Sequence, residues 1–330
     1  METNTKTGST RRQVIKGLTL ALGVAVGPLK AENYPVRPIR AVQGFAAGGN
    51  ADTIARVVGA EMAKTLGQSV IVDTVTGAGG TLASAAVARA PADGYTLLLA
   101  TGGHAVTGAM YGKLPYDPLA SFQMVSTITY FPFLIVVPAN SKFQNFADLL
   151  KAARDNPGQL TYGTAGIGTT HHLAGELLAK KANIQMLHVP YRGDTASTTA
   201  LLGGEVTFTI APATAVEAFV RSGRLRALAV TGPQRWLGMA EIPTVAEQGV
   251  SGYDVRSWAG WMLPAAASKA HVNRINEATR QALLSAEVRN RLKQMGGEAQ
   301  ASSPAEMTTL VASELNKWSQ VVADAAIPKL

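Results

Sequence analysis

The chain has 330 residues, 47% hydrophobic and 16% charged, a composition that supports a large core, two lobes and little disorder outside the termini. With no cysteine, disulfides, thiol nucleophiles, thiolate metal sites and a lipid-modified N-terminal cysteine are excluded. Of the formal charge of +8, residues 1–31 carry +4; the remaining +4 is scattered without interleaved aromatics, which argues against nucleic acid but suits anionic solutes.

Residues 1–31 read as an export address. Thr10-Arg11-Arg12-Gln13-Val14-Ile15-Lys16 has the twin-arginine pattern, an apolar stretch covers 18–26, and a cut after Ala31 fits. That stretch is about half of the ~20 apolar residues a spanning helix needs. The plainer alternative is a basic tail beside a short helix. Twin-arginine export delivers folded protein, so the expected destination is the periplasm or its equivalent.

Strand and helix signals then alternate. A strand is predicted over 39–43, and a helix over 52–66 with Ile54, Val57, Val58 and Met62 near helical spacing. A strand over 69–73, the turn Thr76-Gly77-Ala78-Gly79-Gly80, an alanine-rich helix over 81–90 and a buried strand over 95–100 follow. Repeated strand, glycine turn and helix is the signature of an α/β fold with a parallel sheet and ligands at the carboxyl ends of its strands.

The run ITYFPFLIVVP over 128–138 interrupts that rhythm; Pro132 and Pro138 make it a poor helix, so it reads as an extended crossover. Helices over 145–155, 171–182, 196–202 and 215–222 and strands over 160–163, 186–189, 205–210 and 227–231 build a second lobe. A second extended stretch over 253–264 leads back, and helices near 271–284, 286–295 and 304–325 follow. The expectation is lobe I from 32–130 with 257–330, lobe II from 131–256, and a hinge between them.

Two glycine turns carry the ligand signal. RAVQGFAAGGNADTIAR (40–56) runs from a strand through a turn into a helix start, where backbone N–H groups and the helix N-terminus face an anion. It lacks the Lys-Ser/Thr pair of a P-loop. GTAGIGTTHHLAGE (163–176) repeats the pattern. No G-x-S-x-G elbow occurs, and the glycines at 163, 166 and 168 miss the dinucleotide spacing. No catalytic residue, metal site or cofactor is therefore expected. Two such cradles point to a protein that holds a small acid rather than transforming it.

YPVRPIRAVQGFAAGGNADTIAR, VTGAGGTLASAAVARAPADGYTLLLAT, KLPYDP, HVPYRG, LLGGEV, GRLRALAVTGPQR, IPTVAEQG and SWAGW occur in that order. Together, over 34–330, they resemble the Bug family, the TctC-like periplasmic solute-binding components of tripartite tricarboxylate transporters. The resemblance implies a two-lobed, type II-like clamshell with two crossover strands and a C-terminal helical segment. It further implies a monomer that closes on a di- or tricarboxylate or an aromatic acid and docks on membrane permease subunits. Backbone amides, hydroxyls and water would hold the ligand. A sensor that passes its bound acid to a membrane receptor would share this fold, and an α/β enzyme acting on a carboxylate is the remaining rival.

Matched by motif, the resemblance places first-lobe contacts at Phe45, Ala47, Gly48, Gly49, Asn50 and Asp52, with Gly79, Thr101, Gly102 and His104 after neighbouring strands. Second-lobe contacts would be Thr164, Ala165, Gly166, Gly168, Thr169, Thr170, His171, Tyr191, Arg192 and Ala211. Ala211-Pro212 replaces the Asp-Asn pair usual at that position, which disfavours an ammonium-bearing ligand and favours a plain acid. GFAAGG lacks the usual flanking prolines, and Arg192 replaces a lysine.

Plainer roles are open for several of these residues. Asp52 suits the first turn of a helix as a structural carboxylate, since directly beside an anion it would repel. His171 and His172 are adjacent, so on a helix they point in different directions, and no HExxH follows; a cap or a ligand donor at His171 fits better than a metal. His188 reads as structural and His104 as either buried or facing the cleft. Arg192 would grip a carboxylate or pair with Asp194. Trp258 and Trp261 read as packing residues.

Overall fold

The computed structural model describes residues 1–2 and 34–330; the twin-arginine segment lies outside them. The first elements are β1 (Ile39–Gln43), α1 (Asn50–Leu66), β2 (Val70–Thr74), α2 (Thr81–Ala88), β3 (Thr96–Thr101) and α3 (Gly103–Met110). The 17-residue strand β4 (Phe122–Pro138) follows. Next come α4 (Phe146–Asp155), β5 (Leu160–Thr164), α5 (Thr170–Ala182), β6 (Met186–Pro190), α6 (Asp194–Leu202), β7 (Phe208–Pro212), α7 (Ala213–Arg221) and β8 (Leu225–Val230). The chain continues through β9 (Arg256–Pro264), α8 (Lys269–Leu284), α9 (Ala286–Gln294), β10 (Glu298–Ala299) and α10 (Pro304–Asp324).

The sheet order is β2-β1-β3-β9-β4-β7-β5-β6, with β8 and β10 also on β4. β1 is parallel to β2 and β3, and β5 is parallel to β6 and β7; every pair made by β4 or β9 is antiparallel. Two parallel blocks are thus joined through two long strands. β4 pairs with β9 along 122–132 and with β7 and β8 along 133–138, so its partners change just where Pro132 removes a ladder donor.

Burial explains the strand pattern. Leu97, Leu98 and Leu99 are buried on both faces of β3, as a strand covered by helices on each side requires. α1 presents Ile54, Val58 and Met62 to that core, each worth about 1.5–3 kcal/mol when fully buried. Trp258 and Trp261 sit in separate core clusters on β9, as packing residues. The peripheral helices α4 and α10 begin with capping boxes, Asn145 with Asp148 and Ser303 with Glu306. α1 and α7 begin instead at Gly49 and Pro212, with no side-chain cap.

Three differences from the sequence pattern matter near the ligand turns. Helix α3 was hidden because it is buried almost all round, leaving no amphipathic period. β7 starts three residues later than the apolar pattern suggests. Gly204 N donates to Leu201 O (3.0 Å) and Glu205 N to Ala200 O (2.9 Å), so those residues still belong to the turn after α6. α7 consequently starts directly at Ala213, behind Pro212. The expected crossover over 128–138 begins earlier, at Phe122.

Candidate functional site

The first turn is built from beneath by two buried side chains. Gln43 is fully buried; its Oε1 accepts from Phe45 N (2.7 Å), and its Nε2 donates to Phe45 O (2.8 Å) and Thr74 Oγ1 (2.9 Å). Asp52 accepts from Gly48 N (2.9 Å), Arg56 Nε (2.9 Å) and Arg56 Nη2 (3.0 Å). Bonding to Arg56 and Gly48 outweighs burial and holds its carboxyl below the usual carboxylate range. The carboxylate thereby ties Gly48 of the turn to Arg56 on the helix. Gly48 sits at φ +76°, a conformation that suits glycine, and Gly49 N closes the turn onto Ala46 O (3.1 Å). The N–H groups of the first turn of α1 have no intrahelical acceptor and no cap, so they are available to an anion.

The second turn is held by hydroxyls. Thr164 Oγ1 accepts from Gly166 N (3.2 Å) and lies 2.6 Å from His188 Nε2. Thr169 Oγ1 donates to Gly166 O (2.7 Å) and accepts from His172 N (3.4 Å) as the cap of α5. Gly193 N donates to Ala165 O (3.2 Å). Both threonine hydroxyls therefore shape the turn. His172 and His188 stack with centroids 4.1 Å apart; burial drops their pKa values to about 4 and about 3, so both are neutral at pH 7.

Glycines let the two parallel blocks approach. A Cβ on Gly79 would lie 3.5 Å from Gly168 O, and one on Gly102 would lie 3.3 Å from Thr170 Oγ1 and 2.9 Å from Ser257 Oγ. The Phe45 ring lies within 3.7 Å of the same positions on Gly80 and Gly103. His171 packs edge-on against Phe133 (centroids 4.4 Å), with Nε2 3.5 Å from Asp194 Oδ1. Among the described residues neither ring nitrogen has a hydrogen-bond partner. Burial outweighs the pull of Asp194 and lowers its pKa.

Other expected contacts lie elsewhere. His104, allowed a cleft-facing role by the sequence, is a core residue: Nδ1 meets Ser84 Oγ (3.2 Å), Nε2 meets Pro118 O (2.9 Å), and the ring lies between Tyr116 and Phe122. Tyr191 donates to Glu205 Oε2 (3.3 Å). Arg192 is exposed and forms no ion pair among the described residues. Ala211 is buried at the end of β7.

A cavity of about 410 Å³ lies beside the first turn. Gly48, Gly49, Asn50 and Thr53 form one wall, the start of α7 (Ala213, Thr214) with Glu217 and Arg221 another, and Arg291, Gln294 and Met295 the third. The helix start that faces α1 across this space is thus that of α7; the start of α5 meets Gly79 and Gly102 instead. Thr214, Glu217, Arg221 and Arg291 were not singled out from sequence. The uncapped start at Pro212-Ala213 was the only local signal available. Among the described residues no group of three or more His, Asp or Glu is placed to hold a metal, and no helix is long and apolar enough to cross a membrane.

Two α/β blocks joined by two long strands, with uncapped helix starts and close-approaching glycines between them, define a two-lobed binding protein. The chain belongs to the tripartite tricarboxylate transporter family of receptors, whose family model matches residues 54–327. It is 37% identical over 316 residues to a UPF0065 protein in the tcbD-tcbE intergenic region of Pseudomonas sp. (strain P51), covering 95% of this chain and 94% of the relative. Its fold is similar to that of an R. palustris protein solved with adipate, with a TM-score of 0.84 and 34% identity over 90% of this chain and 100% of that one. MatC from Rhodopseudomonas palustris, with bound malate, gives 0.80 and 31% over 88% and 100%.

Proposed function

We propose that this protein is an exported periplasmic receptor whose lobes, 32–130 with 257–330 and 131–256, close on a small organic carboxylate. The monomeric closed form then presents it to the permease subunits of a tripartite tricarboxylate-type transporter. The twin-arginine pattern over 10–16 supports the export route. The observation that carries the reading is the first turn. Gln43 and Asp52 pin it from below, so the free N–H groups of α1 face the uncapped start of α7 across the cavity. Preorganised amides bind an anion without ordering long side chains. Closure follows because ligand contacts formed in both lobes exist only when they meet. Ala211-Pro212 brings no carboxylate to the start of α7, which favours a plain acid over an amino acid. Adipate and malate in the two solved relatives support the same ligand class.

Native mass spectrometry of protein purified without refolding tests this, followed by thermal-shift measurements with a panel of carboxylates. The expected result is a retained or saturating carboxylate, released chemically unchanged. Turnover of the acid, or stabilisation by amines and neutral sugars alone, would overturn it.

A further inference from the structure

Besides the two helix starts, the cavity beside the first turn is lined by three charged side chains, Glu217, Arg221 and Arg291. Arg221 there is already committed: Nε donates to Glu217 Oε1 (2.8 Å) and Nη2 to Gly238 O (2.9 Å). Arg291 is different. It donates only to the neutral Gln294 Oε1, at 3.4 Å, and has no acidic partner among the described residues. With Glu217 balanced by Arg221, the lining carries one uncompensated positive charge, that of Arg291. Asn50 also lines the cavity, and its side-chain Nδ2 is a donor that can reach a carboxylate.

Resting on the carboxylate reading, we infer that this cavity is the distal limb of the ligand site, and that Arg291 makes the receptor selective for elongated dicarboxylates over monocarboxylates of equal length. The near carboxylate lies against the amides at the starts of α1 and α7; the far one meets the guanidinium, whose planar fork matches a carboxylate. A volume of about 410 Å³ falls among those of small-molecule sites. The competing role for Arg291 is to complement the dipole at the last turn of α9. Lys293 shares that turn but not the cavity lining, so it separates the two roles.

The test is calorimetric titration of the wild type, Arg291→Gln, Arg291→Lys and Lys293→Gln with α,ω-diacids of four to seven carbons and monoacids of the same lengths. The wild type should prefer the best diacid over its matched monoacid by about tenfold, as one charge-assisted contact implies, and the margin should shrink as salt rises. Arg291→Gln should erase the margin while leaving the monoacid Kd within about twofold, Arg291→Lys should retain part of it, and Lys293→Gln should keep it. An unchanged diacid margin in Arg291→Gln, or an equal loss in Lys293→Gln, would overturn the assignment. If the wild type binds neither class, the carboxylate reading itself fails; if it binds monoacids as tightly as diacids, only the assignment of Arg291 fails.

Discussion

Replacing Gln43 with leucine removes the support of the first turn while keeping side-chain volume roughly constant. Three hydrogen bonds of 2.7–2.9 Å are lost at a fully buried position. At about 0.5–1.5 kcal/mol net each they sum to ~3 kcal/mol, with an added cost if the Phe45 N–H finds no water. The apolar gain of leucine offsets ~1 kcal/mol or more of this, leaving a loss on the order of 2–3 kcal/mol. For a chain of this size that is a fall in Tm of roughly 3–5 °C. Binding should weaken as well, because the turn no longer presents the α1 amides in one geometry; a tenfold rise in Kd corresponds to ~1.4 kcal/mol. Differential scanning calorimetry with and without a saturating carboxylate reads both effects. Gln43→Glu is the informative companion, since it keeps the acceptor for Phe45 N but loses the donor to Phe45 O. If Gln43→Leu melts within a degree of wild type and binds with an unchanged Kd, the turn is not held from below and the reasoning is wrong.

Gly102→Val should weaken ligand affinity by about 5–150-fold, the effect of an overpacking cost of ~1–3 kcal/mol, because its side chain would press on Thr170 and Ser257. The melting point without ligand should change far less than the ligand-induced shift; equal losses in both would show a folding defect instead. Arg192→Ala should leave Kd within about twofold if backbone amides supply the grip; a loss of a hundredfold would return the carboxylate to this guanidinium. For acid stability, His172 is neutral at pH 7 in the folded state and mostly so in the unfolded one, so it adds little pH dependence there. Below its unfolded pKa of ~6.5 the unfolded chain takes up a proton that the folded protein refuses until about pH 4, so stability should fall by ~1.4 kcal/mol per pH unit through that window. Urea midpoints at pH 7 and 5 should show this, and His172→Gln should remove its share. Asp52, with a lowered pKa, loses its contribution only at more acid pH.

Much of the architecture is legible in the sequence because strands and glycine turns announce themselves through local chemistry. The continuous apolar run ending at Ala100 is typical of a buried strand, and Pro132 and Pro138 make the β4 run a poor helix. α3 and the start of β7 were not legible. The first is buried all round, and the second depends on how the turn after α6 closes. For the site, the glycines at 48, 49, 79, 102, 166 and 168 mark where backbone must stay bare, and the structure places them in the turns or where the two blocks approach. The supports under those turns were hidden. Gln43 looks like an ordinary strand end, and its role depends on Thr74 from a neighbouring strand. His188 reaches Thr164 only because β6 pairs with β5. Arg291 meets Asn50 across one cavity although well over two hundred positions separate them in the chain.

A crystal structure of the protein grown with a saturating dicarboxylate, in the presence of a chelator, is the most direct measurement. Carboxylate oxygens within hydrogen-bonding distance of the amide nitrogens at the start of α1, with the α7 start completing the grip, are the expected result. A ligand lodged away from residues 45–53, or binding that vanishes with the chelator, would contradict it.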